Sequence, residues 1–353
     1  MTTSTAIQIP TLLRVKPNTL YKLGKYLRRN GFHRIALFYG EGMADMLGQT
    51  VEISLDSSEI KVRYTETVTT NDIESVVTSA FALPRTTDAI VAVGGGMAID
   101  YAKYAGFLTK KPVIAVPTAL SNDGFSSPGA SLKVAGKRVS CPANIPFGVV
   151  LDTSVIANSP PRFTHSGVGD LLSKYSAVHD WKLAYWETGE QVNDFAVLIA
   201  LQSVENFVNH PNKSIGDLDF IKLMAGGLVM SGVAMEVSGS SRPASGSEHL
   251  ISHAYEKVAD RPSMHGLQVG LACIGTMWLQ EHPRLDDVVA VLAETGFLRF
   301  VKENPLERGA FIEAIRLAPT IKDQYFTILT PKGNVDKLVE FVSDSPVWDG
   351  LLA

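Results

Sequence analysis

Between residues 34 and 152 the sequence alternates short apolar runs with segments of helical periodicity, and few architectures accommodate that order. The runs "RIALFYG", "IKVRYTE", "AIVAVGG", "KPVIAVPT" and "FGVVLD" are separated by helical stretches such as "DIESVVTSAFAL" and "AIDYAKYAGFL". Apolar β-branched runs spaced by helices predict a parallel sheet with crossover helices, a Rossmann-like α/β domain. Beyond about Pro160 such runs vanish. Long segments of helical periodicity replace them, including "DLLSKYSAVHDWKLAYWE", "QVNDFAVLIALQSVENFVNH" and "GLQVGLACIGTMWLQEH", so the second half is expected to be an all-α domain. The stretch "VIANSPPRFTHSGVG" carries a Pro-Pro pair and reads as a boundary with a short linker. The expected domains are therefore residues 1–158 and 159–353, with the active site between them, since clefts at domain interfaces favour small ligands.

At 353 residues, with 45% hydrophobic and 19% charged residues, the chain is long enough for two domains and a large core. Its net charge of −4 comes from interspersed signs with no basic stripe, which argues against nucleic acid or an anionic membrane as partner and leaves a small molecule. The opening "MTTSTAIQIPTLLRV" lacks the basic and apolar regions of a signal peptide. The uncharged stretch Leu223 to Met235 is too short to span a bilayer and reads as a buried helix. The two cysteines, Cys141 and Cys273, have no metal-type or redox-type spacing. A cytoplasmic location with reduced thiols fits all of this.

Three consecutive glycines, Gly94 to Gly96, close one apolar run and open a helical segment. Glycines at a strand-to-helix turn let a phosphate approach main-chain N–H groups at a helix start, which makes Gly94 to Ala98 a candidate pyrophosphate cradle. A tight turn requiring positive φ explains the triplet as well, and the spacing is not that of a G-x-G-x-x-G fingerprint. After the run "KPVIAVPT" comes "ALSNDGFSSPGASL", read as a fourteen-residue polar loop past a strand's carboxyl end, where open α/β sheets bind ligands. Its hydroxyls at Thr118, Ser121 and Ser127 and the Asp123 carboxylate suit a polyhydroxylated ligand.

The helical half carries a sharper cluster. In "SGSEHLISHAYEKVADRPSMHGLQVG", His249 and His253 are four apart and share a helix face, and His265 opens the next helix. Imidazole is the commonest neutral metal ligand. Asp170, read as lying at the glycine-flanked start of a helix, supplies the anionic partner for a two-histidine, one-carboxylate site with an open position. His33, His165, His179, His210 and His282 stand alone and read as ordinary core or surface residues.

Taken together, "GGGMAIDYAK", "VPTALSNDGFSSPGASL", "GVGDLLSKYSAVHDWKLA", "SGSEHLISHAYE" and "HGLQVG" resemble the sn-glycerol-1-phosphate dehydrogenases, within the group of iron-containing alcohol dehydrogenases, glycerol dehydrogenases and dehydroquinate synthases. The resemblance runs from about residue 10 to about residue 330. It implies a dehydroquinate synthase-like fold, a nucleotide-binding first domain, and a metal- and substrate-binding second domain. Gly94, Gly95, Gly96, Met97 and Ala98 would hold the pyrophosphate of NAD or NADP, with Thr118, Ala119, Leu120, Ser121 and Ser127 also on the cofactor. Asp170, His249 and His265 would hold Zn2+, and zinc, iron, nickel or manganese all suit that donor set. Asp123, Asp170 and His253 would meet the substrate.

The reaction so implied is reduction of dihydroxyacetone phosphate to sn-glycerol 1-phosphate, with the proton delivered through His253, metal-bound water or the ribose hydroxyls. The family also suggests a homo-oligomer, a dimer or larger. Reduction of another small ketone or polyol is the first alternative, and a dehydroquinate-synthase-like cyclase the second. One departure bears on the phosphate. Where the family reads R-x-R-Y-T-x-L, this chain has "IKDQYFTILT", with Lys322 and Gln324 at the basic positions. Lys103 and Lys174 lie on helical segments, where a solvated surface position is the commoner expectation and a phosphate partner the alternative.

Overall fold

A computed structural model describes residues 7–353 and divides the chain after Ser159 into two compact units. The first contains strands β1 (Leu12–Lys16), β2 (Arg34–Gly40), β3 (Lys61–Val68), β4 (Ala89–Gly94), β5 (Val113–Pro117), β6 (Gly129–Val134), β7 (Lys137–Pro142) and β8 (Gly148–Asp152). Its helices are α1 (Leu23–Arg29), α2 (Met43–Asp56), α3 (Ile73–Ala82), α4 (Gly96–Thr109) and α5 (Thr153–Ala157). Six strands form one parallel sheet in the order β1-β8-β5-β4-β2-β3. The continuous apolar runs of β4, β5 and β8 are buried along their full length, as strands covered on both faces must be. Leu37, Tyr39, Val91, Val93, Ile114 and Val116 of the sheet pack with Leu23, Leu27, Val51 and Leu55 of α1 and α2 in one core cluster.

Two features of this unit are not apparent in the sequence pattern. Strand β1 buries Leu12 fully but leaves Lys16 exposed, and it owes its extended form to parallel pairing with β8, a contact more than a hundred residues distant. The polar segment after β5 is also shorter than the fourteen residues expected. It ends at Pro128, because Gly129 begins the antiparallel hairpin β6–β7. The two-residue turn at Ala135 and Gly136 has positive φ at both positions, 50° and 75°, the geometry that matches strand twist in tight hairpins.

The second unit contains only helices as regular structure among the described residues, apart from isolated bridges. They are α6 (Pro161–Leu172), α7 (Lys174–Thr188), α8 (Asp194–Val208), α9 (Leu218–Ser238), α10 (Ser247–Val258), α11 (His265–Leu279), α12 (Leu285–Glu294), α13 (Phe297–Glu303), α14 (Arg308–Leu317) and α15 (Asn334–Asp344). Helix α9 is long and apolar enough to cross a membrane, yet its most apolar window is 61% buried within the protein. That is the behaviour of a core helix.

The Pro-Pro boundary differs in extent from its reading as a linker. Pro161 occupies the first turn of α6, where a missing N–H costs nothing, so only Asn158 to Pro160 separate α5 from α6. Asp170 consequently lies near the C-terminal end of α6, two residues before its last, and not at a helix start. The glycines before it suggest a helix start, but Gly169 serves packing instead.

Candidate active site

In the first unit the glycine triplet divides into two roles. A Cβ at Gly94 would lie 3.0 Å from the Gly40 nitrogen and 3.2 Å from its Cα, so Gly94 permits the close approach of β4 to β2. Gly95 and Gly96 are different. Neither has positive φ, and a Cβ on either would meet nothing within 4 Å. The tight-turn explanation therefore fails for both. What their missing side chains leave is open space beside the first N–H groups of α4, the room a phosphate needs to reach a helix N-terminus. Met97 is 39% exposed beside this space and Ala98 is buried.

Thr118 follows β5, and its N–H donates to the Gly94 carbonyl at 3.1 Å, fastening the second loop to the first. Thr118, Ala119, Ser121 and Asp123 are half-buried, whereas the Leu120 side chain is fully buried, which leaves only its backbone for a ligand. The Ser127 hydroxyl lies among the carbonyls of its own loop, 3.2 Å from Gly124 O and 3.3 Å from Gly129 O.

Lys103, expected at the surface, is fully buried and organises this loop. Its ammonium donates to Gly124 O at 2.6 Å, to Ser127 Oγ at 3.2 Å and to Gly129 O, and it pairs with Asp100 at 3.3 Å. Asp100 in turn accepts from the Ser131 N–H at 3.1 Å. Burial lowers the Lys103 pKa, opposed by Asp100 and then Asp123. A buried cation is tolerable when hydrogen bonds and a counter-charge replace its water. Here the segment "IDYAK" staples the loop from Gly124 to Ser131 onto α4.

In the second unit, Asp170, His249 and His265 each place a ligand atom within 4.8 Å of the other two. Helix packing brings them together. A Cβ at Gly169 would lie 2.1 Å from Gly266 O and 3.0 Å from the Gly270 Cα, and one at Gly266 would lie 1.9 Å from Ser166 O. Helices α6 and α11 thus cross backbone to backbone at these glycines. Asp170 follows Gly169 and His265 precedes Gly266, so the crossing sets both donors side by side.

Helix α10 supplies the third donor. His249 Nε2 stands 3.5 Å from Asp170 Oδ1, while its Nδ1 is 2.8 Å from Glu248 Oε1, a fully buried carboxylate that also accepts from the Gly246 N–H at 2.6 Å. A carboxylate on one ring nitrogen orients the other toward a metal. His265 Nδ1 is likewise engaged, 3.1 Å from Ser252 Oγ. Two imidazoles and a carboxylate, each with its far side held, fit a divalent ion. His253 lies beside this group, its ring centroid 6.4 Å from His249 and 5.5 Å from His265, with 36% of its side chain exposed.

Burial alone would raise the Asp170 carboxyl, but the Lys174 ammonium and the His249 and His265 imidazoles hold it well below the usual carboxylate range. Lys174 is the second lysine expected at the surface and found fully buried. It lies 3.5 Å from Asp170 Oδ2 and donates to Ala244 O at 3.2 Å. For His249, burial disfavours the charged ring, yet hydrogen bonds to Asp170 and Glu248 raise its pKa. Deeper in, Asp180 accepts from the Ser247 and Ile328 N–H groups and from Gln280. Burial, and then Glu248, push its carboxyl up to about 6.

Residues 14–160 match the family model described as iron-containing alcohol dehydrogenase. A glycerol-1-phosphate dehydrogenase [NAD(P)+] of Staphylothermus marinus is 38% identical over 69% of this chain and 69% of its own length. Its namesake from Thermococcus kodakarensis is 32% identical over 93% of both chains. The chain belongs to the glycerol-1-phosphate dehydrogenase family. Solved structures extend the likeness of fold. Glycerol dehydrogenase from Schizosaccharomyces pombe superposes with a TM-score of 0.77 at 16% identity, over 99% of this chain and 93% of its own. Sulfoacetaldehyde reductase from Bifidobacterium kashiwanohense, solved with NAD+, gives 0.73 at 17% identity over 96% and 99%.

In this member of the glycerol-1-phosphate dehydrogenase family, each unit's group holds two residues that sequence reasoning left without a role, Asp100 and Lys103 in the first, Lys174 and Glu248 in the second. Lys174 sits four after Asp170, a spacing that itself places the pair on one helix face, and Asp100 and Lys103 are three apart on α4. Those signals were present in the sequence. Glu248 precedes His249 and gives no such cue, because a carboxylate next to a histidine in sequence usually points away on a helix.

Proposed function

We propose that this chain is a metal-dependent, NAD(P)H-dependent dehydrogenase reducing dihydroxyacetone phosphate to sn-glycerol 1-phosphate. The observation that carries the reading is the Asp170–His249–His265 group, two donors buried and the third half-buried, each oriented from behind, in a chain whose relatives carry that enzyme's name. When bound, the divalent ion, proposed to be zinc, polarises the ketone, and the reduced nicotinamide supplies hydride to C2.

The chain's own residues do the rest. Gly95 and Gly96 admit the pyrophosphate to the start of α4, with Gly94, Met97 and Ala98 completing the cradle. Thr118, Ala119, Leu120, Ser121 and Ser127 form the loop proposed to line the nucleotide, and Asp123 is proposed to hold a substrate hydroxyl. Asp170, His249 and His265 bind the ion, while His253, next to them and partly open, is placed to pass a proton to the product oxygen. The enzyme is proposed to be a cytoplasmic homo-oligomer. The buried, unpaired Cys141 and Cys273 fit a reducing compartment.

Metal removal tests the reading. A chelator is expected to abolish ketone reduction and one equivalent of zinc per chain to restore it. Full turnover in metal-free protein would overturn it.

A further inference from the structure

A second charged cluster in the helical unit takes no part in the account so far. Between α9 and α10, Ser241 and Arg242 face the turn that carries Lys322 and Tyr325. The Arg242 guanidinium is 2% exposed and lies over the Tyr325 ring, 3.5 Å from its centroid. It is committed to protein partners: Nε and Nη2 hold the Glu190 carboxylate, and Nη1 donates to Phe326 O at 2.8 Å. Lys322 is not so committed. Its ammonium stands 4.3 Å from the same ring centroid, and Ser241 Oγ at 3.2 Å is its one hydrogen-bond partner among the described residues. Among the described residues no carboxylate lies within ion-pair distance of it; the buried Glu248 acts on it only from further off.

A half-buried ammonium with N–H groups to spare, beside a second cation, stabilises an oxyanion that takes up those N–H groups and neutralises the pair. Burial, and then Arg242, push its pKa below the ordinary lysine value, the strain such an anion relieves. The cluster is also joined to the metal-binding group. The Tyr325 hydroxyl donates to Ser245 O, Lys174 reaches Ala244 O, and Gly246 donates to Glu248, the residue behind His249. The segment from Ser241 to Gly246 therefore carries the cluster at one end and runs into α10 at the other. Gln324, the second departure from the family's basic pattern, is exposed in left-handed backbone with φ 51° and belongs to the turn.

We propose that Lys322, with Ser241 and supported by the Arg242–Tyr325 stack, is the subsite that binds the phosphoryl end of the ketone. This rests on reduction of dihydroxyacetone phosphate being the reaction. A charge-assisted contact of this kind contributes about 10- to 100-fold in affinity.

The test compares wild type, Lys322→Met and Lys322→Arg as zinc-loaded proteins. Lys322→Met is expected to raise KM for dihydroxyacetone phosphate about 10- to 100-fold. Kinetics with unphosphorylated dihydroxyacetone and zinc content should stay as in wild type, and Lys322→Arg should recover most of the loss. As a readout independent of turnover, inorganic phosphate should raise the melting temperature of wild type and of Lys322→Arg, but markedly less that of Lys322→Met. Lys322→Gln replaces the Met variant if that one does not fold. An unchanged KM for dihydroxyacetone phosphate in the Met variant overturns the subsite, whatever inorganic phosphate does. If no protein turns over dihydroxyacetone phosphate yet the phosphate shift depends on Lys322, the oxyanion site stands and the assigned reaction falls; if the shift is absent from wild type, the site falls too.

Discussion

His249 and His253, four apart, share a helix face, and two different jobs are proposed for them. His249 has Glu248 behind it and Asp170 before it, both buried, whereas His253 has Glu256 at 3.9 Å and an open edge. His249→Ala is expected to lose the metal, measured as zinc per chain after gel filtration. His253→Ala should keep zinc and nucleotide affinity while kcat/KM falls on the order of 100-fold, as for loss of an acid–base group. Zinc loss in the second variant with retention in the first would reverse their roles. Glu248→Gln, which keeps shape but removes the charge behind the ring, should weaken zinc affinity about 10- to 100-fold, read by competition with a chromophoric chelator.

At the level of elements, the candidate metal group depends on a helix crossing and the proposed nucleotide loop on a buried staple. A Cβ at Gly169 would sit 2.1 Å from the Gly266 carbonyl, so Gly169→Ala must part α6 from α11. Overpacking of this kind costs about 1–3 kcal/mol or more, and it moves Asp170 away from His265, so both melting temperature and zinc content should drop. Lys103→Met removes the donor shared by Gly124, Ser127 and Gly129. Nucleotide affinity, followed by NAD(P)H fluorescence, should fall while zinc content holds. These elements also show what the sequence could express. Continuous apolar runs identified β2, β4, β5 and β8, because burial on both faces leaves a local trace. Strand β1 and the hairpin β6–β7 depend on partners distant in sequence or on turn backbone, and leave little. The cluster of His249, His253 and His265 in the sequence pointed to a candidate metal group, whereas the i,i+4 spacing paired His249 with His253 and not with His265; the glycines beside Asp170 are ambiguous, since glycine marks a helix end and a close helix crossing alike.

For the molecule as a whole, acid sensitivity follows from histidines outside the site. Burial, helped by nearby cations, lowers His165 and His282 to about 4 and lowers His179 as well. Unfolded histidine titrates near 6.5, so the unfolded chain takes up protons that the folded one refuses. Stability is thus complete above about pH 6.5 and declines as pH falls toward 4. His165, packed against Phe300 with ring centroids 5.0 Å apart and tilted by 30°, its buried Nδ1 lacking a hydrogen bond among the described residues, offers the check: His165→Phe should flatten the fall in melting temperature between pH 7 and pH 5. An unchanged slope would remove His165 from that account. The two lysines assigned to the surface mark the limit of composition at this scale. Charge alone predicts exposure, and only the folded partners of Lys103 and Lys174 explain why burial is tolerated.

The central claim is the reaction, and its stoichiometry and stereochemistry decide it in one assay. Zinc-loaded protein is mixed with dihydroxyacetone phosphate and a limiting amount of reduced nicotinamide nucleotide, and the glycerol phosphate formed is resolved by configuration. One nucleotide oxidised per ketone reduced, with product of sn-1 configuration, is the predicted result. An unchanged nucleotide pool, or product of the opposite configuration, would contradict it.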